Sequence, residues 1–262
     1  MKKNEVWWPA VVNEEHKDKY GGYEYFEYSR KTWEYWCERN DVLFVPFTEP
    51  VEKDLFKYRV NWQKAIFLFD ELERMGIEYD QIALVDSSFM IKWDAPNFFD
   101  MTDRRFTAWR DIDNMKWVHD SIVGYKDFFD GFELDSMKYI NSGFMIFNKK
   151  HKKFLKEFVE FYAENKEKII ALQNTFHVGT CQPVLNFMLK IKNIDVKLFP
   201  YQFNMVDMVR KEILDEELTM TKVGWIYHYS AIPQEFKQQF GDVEYWMKKT
   251  YEHFYGPSVG EI

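Results

Sequence analysis

The chain has only two cysteines, Cys37 and Cys181, in 262 residues. They stand far apart and show no metal-ligand spacing. Neither a disulfide framework nor a cysteine-based metal site is expected, and a reducing, cytoplasmic setting fits. No apolar run approaches the ~18 residues that a membrane-spanning helix needs. The stretch Met1 to Tyr20 carries charges throughout and lacks the apolar core of a signal peptide. Basic character is missing too: the formal net charge is −8. That speaks against a general nucleic-acid binder, though not against a local basic patch. There is no internal repeat, no low-complexity segment and no linker. What the chain does have is a hydrophobic fraction of 46%, with 19% aromatic residues. Those can fill a core and still leave rings to line a site.

One stretch organises the rest. Gln81-Ile82-Ala83-Leu84-Val85 is a short apolar run that stops at Asp86-Ser87-Ser88. Such a run after a turn-like lead predicts a buried strand. In open α/β sheets, ligands gather beyond the carboxyl ends of the strands. A carboxylate there can hold a divalent cation, and the cation a diphosphate. A solvated aspartate at a strand end is the plainer alternative.

Around this strand, helical and extended patterns alternate, which points to a single α/β domain over residues 1–262. Glu5 to Val12 reads as a first strand, with Pro9 marking an edge or bulge and Asn13 at its exit. Tyr25 to Arg39 has helical spacing, and Val42 to Phe47 is a second strand. Tyr58, Trp62, Ala65, Ile66, Phe69 and Leu72 form one apolar stripe, with Gly76 as a C-cap. Arg59 and Lys64 lie off that stripe, as solvated cations or as ligands for an anion. Met101 to Ser136 shows no period and reads as an irregular binding loop. Tyr139 to Asn148 is a strand interrupted by Asn141-Ser142-Gly143, where the glycine marks a bulge or a close ligand approach. Lys149 to Lys168 predicts an amphipathic helix whose basic start opposes the helix dipole. That start is a solvated face or a surface for an anion. Gln182 to Lys192 is a helix with Pro183 in its first turn. Asp195 to Phe199 and Gly224 to Tyr229 are strands, and a closing helix spans about 236–255.

Several of these pieces stand in a familiar order: Arg59, Trp62 and Lys64 on one helix; Asp86-Ser87-Ser88 at a strand end; Asn141-Ser142-Gly143; Gln182-Pro183-Val184-Leu185-Asn186; Phe199-Pro200-Tyr201-Gln202-Phe203-Asn204; and Tyr227-His228-Tyr229. The set resembles the GT-A fold nucleotide-sugar glycosyltransferases, and among them the glycogenin and bacterial galactosyltransferase group (family 8-like). It covers about residues 5–233. The resemblance implies a mixed, mostly parallel sheet flanked by helices. It implies transfer of a sugar from a nucleoside-diphosphate sugar, a UDP-sugar first, to a hydroxyl acceptor with retention of configuration. A saccharide or glycoconjugate acceptor stands ahead of a nucleic acid.

In that family an Asp-x-Asp motif holds manganese or magnesium against the diphosphate. Asp86 matches the first aspartate, but the second position is Ser88. Hard cations prefer anionic oxygens, so this metal site would be weak. His228 stands where a late histidine completes the metal site. The family's lysine six residues later is Gln234 here, which leaves Lys237 or Lys64 for the diphosphate. By the same resemblance Asn13, Arg59, Lys64, Asp86, Ser87, Ser88, Ser142 and Gly143 bind the nucleotide sugar. Gln182, Asn141 and Asp135 are the expected catalytic groups. The family's Asp-Gln pair is Cys181-Gln182, so the acid is missing, and Asp135 or Asp130 is expected to supply it. Two other readings stay open. One is an enzyme of this fold that sugars a hydroxymethylated nucleic-acid base, through the lysine run and Arg104, Arg105 and Arg110. The other is a non-catalytic GT-A module, because positions 88 and 181 lack acids.

Overall fold

A computed structural model describes residues 3–11, 25–49, 62, 65, 68–112, 114–206, 218–229 and 241–256. Asn13, Arg59, Lys64 and Lys237 lie outside the described residues.

The strands are β1 (Lys3–Pro9), β2 (Leu43–Phe47), β3 (Tyr79–Val85), β4 (Phe89–Ile91), β5 (Phe106–Arg110), β6 (Ile140–Asn148), β7 (Val196–Leu198) and β8 (Ile226–His228). The helices are α1 (Phe26–Arg39), α2 (Leu68–Arg74), α3 (Met115–Lys126), α4 (Lys152–Phe176), α5 (Cys181–Ile191) and α6 (Val243–Tyr255). Six strands form one sheet in the order β2-β1-β3-β6-β5-β7. β1 runs parallel to β2 and β3, and β5 runs parallel to β7; only β6 is antiparallel to its neighbours. This is a mostly parallel mixed sheet in a single α/β domain, as expected.

Alternation along each strand divides the core. Ile82 and Leu84 of β3, with Trp7 of β1, face a cluster completed by α2, α4 and α5. Ala83 and Val85, with Val6 and Trp8, face the other way, onto Trp33, Trp36 and Cys37 of α1. Burial on both faces is why these central strands read as near-continuous apolar runs. β4 and β8 pair as a small second sheet, and Met90, Tyr227 and Tyr229 pack with Trp246, Met247 and Tyr251 of α6.

The segment read as irregular, Met101 to Ser136, holds β5 and α3. β5 is only five residues long, Phe106–Arg110, with all but its last residue buried. The stripe of α3 is broken by exposed Met115 and Val123, which are 46% and 52% accessible. Gly76 does cap α2: its φ is +68°, and the Ile77 N–H reaches back to the Leu72 carbonyl at 2.9 Å.

The direction of β6 also relocates the lysine run. Val85 pairs with Phe144 and Gln81 with Asn148. Lys149 to Lys156 therefore lie at the sheet edge opposite Asp86, not beside it. Asn148 caps this helix start, its Oδ1 accepting the Lys150 N–H at 3.2 Å while its own N–H meets His151 Nδ1 at 3.2 Å. Lys152 pairs with Glu73, and Lys153 with Glu157. Burial, then Lys150, holds His151 down to about 4, so it is neutral at pH 7. The cap satisfies the backbone of the basic start, and two of its lysines are held by glutamates.

Candidate active site

β3 and β5 end at the same sheet edge where β6, running the other way, begins. The Asp86 N–H donates to the Gly143 carbonyl at 2.8 Å, and the Asp111 N–H donates to the Tyr139 carbonyl at 2.9 Å. Two strand-end aspartates thus flank the first residues of β6. Asp86 is half-buried; Asp111 is 6% exposed. Between them β6 bulges: Ala108 pairs with Met145, but the next β5 residue, Trp109, pairs with Asn141. Ser142, Gly143 and Phe144 thus have no partner in β5, which is the bulge expected of the Asn-Ser-Gly interruption.

The start of α5 packs onto that bulge. The Gln182 side chain spans the gap: its Oε1 accepts the Ser142 N–H at 2.9 Å, and its Nε2 donates to Asp111 Oδ2 at 2.5 Å. Asn141 Nδ2 reaches the same Asp111 oxygen at 3.5 Å, while its Oδ1 accepts the Gly143 N–H at 2.9 Å. One turn along, Asn186 clamps the backbone of β6. It accepts the Ile140 N–H at 2.8 Å and donates to the Ile140 and Gln182 carbonyls at 2.9 Å each. Trp62 anchors the approach to α5, donating to Thr180 Oγ1 at 3.0 Å and stacking 4.1 Å from the Tyr162 ring. Cys181 sits in the first turn with Sγ 3.8 Å from Ser142 Oγ. Burial drives the Tyr139 phenol well above its ordinary range, with Asp111 adding to the effect. It stays a neutral phenol behind the cluster.

The small sheet brings in the last group. β4 follows directly on the Asp86-Ser87-Ser88 turn, and Phe89 pairs with His228 across to β8. The Tyr229 N–H donates to the Ser88 carbonyl at 2.9 Å. The imidazole of His228 therefore lies beside the turn that carries Asp86 and Ser88, stacked on Phe89 with centroids 3.9 Å apart and planes 13° from parallel. Among the described residues, no group of three or more His, Cys, Asp or Glu is placed to hold a metal. One carboxylate, one imidazole and one hydroxyl are what this corner offers a cation.

Asp86, Ser87, Ser88, Asn141, Ser142, Gly143, Gln182 and His228 thus share one edge of the fold. Asp135 is exposed and caps a 3-10 turn by accepting the Met137 N–H at 2.9 Å. Asp130 is also exposed and ends a turn with φ +54°. The carboxylate that meets Gln182 is Asp111, a residue absent from the expected set. Its signal was a strand-end aspartate of the same kind as Asp86, hidden because β5 was not recognised. Gly143 has a packing reason as well as a backbone one. A Cβ there would lie 2.8 Å from Phe89 Cε2 and 3.0 Å from Asn141 Oδ1.

No family model and no curated protein matches the chain. Solved structures do. A glycosyltransferase involved in glycosylation of the major capsid of PBCV-1 superposes with a TM-score of 0.57 at 10% identity, over 94% of this chain and 98% of that one. The chain has the GT-A glycosyltransferase fold. The bifunctional glycosyltransferase WbbM gives a TM-score of 0.55 at 12% identity over 97% of this chain, which spans half of WbbM's length. The galactosyltransferase LgtC, solved with donor and acceptor sugar analogues, gives 0.48 at 11% identity over 98% of both chains; the GT-A assignment rests on the first two. No described helix is long and apolar enough to cross a membrane.

Proposed function

We propose that this GT-A chain transfers a sugar from a nucleoside-diphosphate sugar, a UDP-sugar first, to a hydroxyl acceptor on a saccharide or glycoconjugate. The observation that carries the reading is the Asp111–Gln182–Ser142 bridge beside Asp86, at the carboxyl ends of β3 and β5. It supplies a buried, oriented polar wall next to a carboxylate that can anchor a diphosphate. Asp86, Ser88 and His228 would hold a manganese or magnesium ion, which when bound neutralises charge growing on the departing diphosphate. Asn141, Ser142 and Gln182 orient the sugar hydroxyls. Asp111, fixed by Gln182, presents a carboxylate to the same sugar and takes the role expected of Asp135. Preorganised donors and charges of this kind lower the barrier because they need not reorient during the reaction. The two free cysteines suit a reducing cytosol, and the expected outcome at the anomeric carbon is retention.

A saccharide acceptor is favoured over a polyanion because the lysine run lies at the far sheet edge, with Lys152 and Lys153 paired to glutamates. The non-catalytic reading is separated by a simple measurement: thermal unfolding with a panel of nucleotides and nucleotide sugars, with and without manganese. The proposal expects one nucleoside-diphosphate sugar to raise Tm more than its mononucleotide does. If none shifts Tm under either condition, the donor assignment fails.

A further inference from the structure

Phe89 stands where the parts of the site meet. It is fully buried, follows Ser88 in the chain, and closes the turn by donating its N–H to the Asp86 carbonyl at 3.0 Å. One side of its ring lies against the His228 imidazole, at 3.9 Å and 13°. Its Cε2 and Cζ edge occupies the space that a side chain on residue 143 would need, at 2.8 and 3.1 Å. Its carbonyl is held by two side chains of α1: Ser29 Oγ donates at 2.5 Å and Trp33 Nε1 at 3.1 Å. Trp8 of β1 in turn donates to Ser29 Oγ at 2.9 Å.

An imidazole accepts and donates only in the plane of its ring. Whatever fixes that plane fixes the directions in which its nitrogens act. A flat apolar stack fixes the plane while leaving the ring edge available, and groups behind a ligating histidine commonly decide its orientation. The bulge needs a similar restraint, since Ser142 to Phe144 have no partner in β5.

We propose that Phe89 is the positioning residue of this site: its ring sets the plane of His228 and, through Gly143, the course of the bulge that presents Asn141 and Ser142. The α1 hydrogen bonds extend this support to the helix layer. The assignment deepens the sugar-transfer reading and rests on it for its catalytic consequence. The geometric part stands alone.

The test uses the whole chain with three variants, Phe89→Leu, Gly143→Ala and the double variant, labelled at histidine and observed by NMR. The His228 signals are identified by their loss in His228→Asn. Removing the stacked ring should move these signals toward the positions of an unstacked histidine in Phe89→Leu. Gly143→Ala, which pushes the ring, should move them too. In turnover assays kcat should fall by about 10²-fold, the effect of a misplacement near 1 Å, with a smaller change in KM. The double variant should recover part of the Gly143→Ala loss, because leucine vacates the atoms the methyl would meet. Where Phe89→Leu fails to fold, Phe89→Met is read in the same way. Unmoved His228 signals in a folded Phe89 variant overturn the positioning role whatever the activity shows, as does an unchanged kcat in all three variants. Absence of wild-type turnover with every nucleotide sugar would overturn the transferase reading instead, and leave the NMR result to decide the geometry.

Discussion

Glu5 gives the sharpest prediction about stability. It lies in β1 between Leu43 and Ile82, is 0% exposed, and neither carboxyl oxygen has a hydrogen-bond partner. Burial pushes its pKa up from 4.5 to about 8; burial first, then the Glu5 charge, pushes Tyr79 up to about 12. The unfolded chain releases the Glu5 proton near the ordinary value, whereas the folded chain keeps it until about 8. Between those two pH values the folded state binds more protons, so stability falls as pH rises. At pH 7 the difference is about 2.5 pH units, or about 3 kcal/mol at 1.36 kcal/mol per unit. Glu5→Gln keeps the shape and removes the titration. Its stability relative to wild type should therefore rise by about 3 kcal/mol between pH 4.5 and pH 7, roughly 6–12 °C in Tm for a domain of this size. The assay is urea or thermal unfolding of both proteins across that range. A gap between them that does not change with pH would refute the reasoning, because it would mean that Glu5 ionises in the folded state.

Asn186→Ala should cost about 3 kcal/mol in urea unfolding, because it leaves the buried Ile140 N–H and carbonyl unpaired; a loss under 1 kcal/mol would show that water replaces the clamp. Ser88→Asp should lower the manganese concentration that gives half-maximal activity, since a second carboxylate binds a hard cation better than a hydroxyl. An unchanged midpoint would mean that position 88 does not face the ion. Changing Lys149, Lys150, Lys152 and Lys153 to Gln should leave the acceptor KM unaltered across a salt series. A nucleic-acid acceptor would instead show a log–log slope of about −0.9 per neutralised phosphate, flattened in the variant.

Much of the sheet was legible because burial on both faces writes itself into sequence. The run from Gln81 to Val85 and the strand from Tyr139 to Asn148 could be little else, and the carboxylate after the first was visible at once. β5 was not legible. Five residues that end on Arg110 carry no period, and the pairing with β6 that stabilises them is non-local. Losing that strand concealed Asp111, so the acid was sought upstream of β6 at Asp135, whose carboxylate is spent on a local cap. Strand direction leaves no periodic mark either. Only the antiparallel pairing of β6 shows that its lysine-rich exit leads away from Asp86. Gln182, His228 and the Asn-Ser-Gly bulge came from motif order, and the fold brings them to one edge. The stack of His228 on Phe89 links residues 89 and 228 through a strand pair that no single-sequence pattern reveals.

This edge of the GT-A fold is proposed to transfer sugar from a nucleotide donor. The most direct measurement is release of UDP from a series of UDP-sugars, with manganese and a saccharide acceptor panel, by wild type, Asp86→Asn and Asp111→Asn. The wild type should release UDP with at least one donor, stimulated by an acceptor, and both folded variants should lose that release. Wild-type activity preserved in both variants, or no release from any donor, would contradict it.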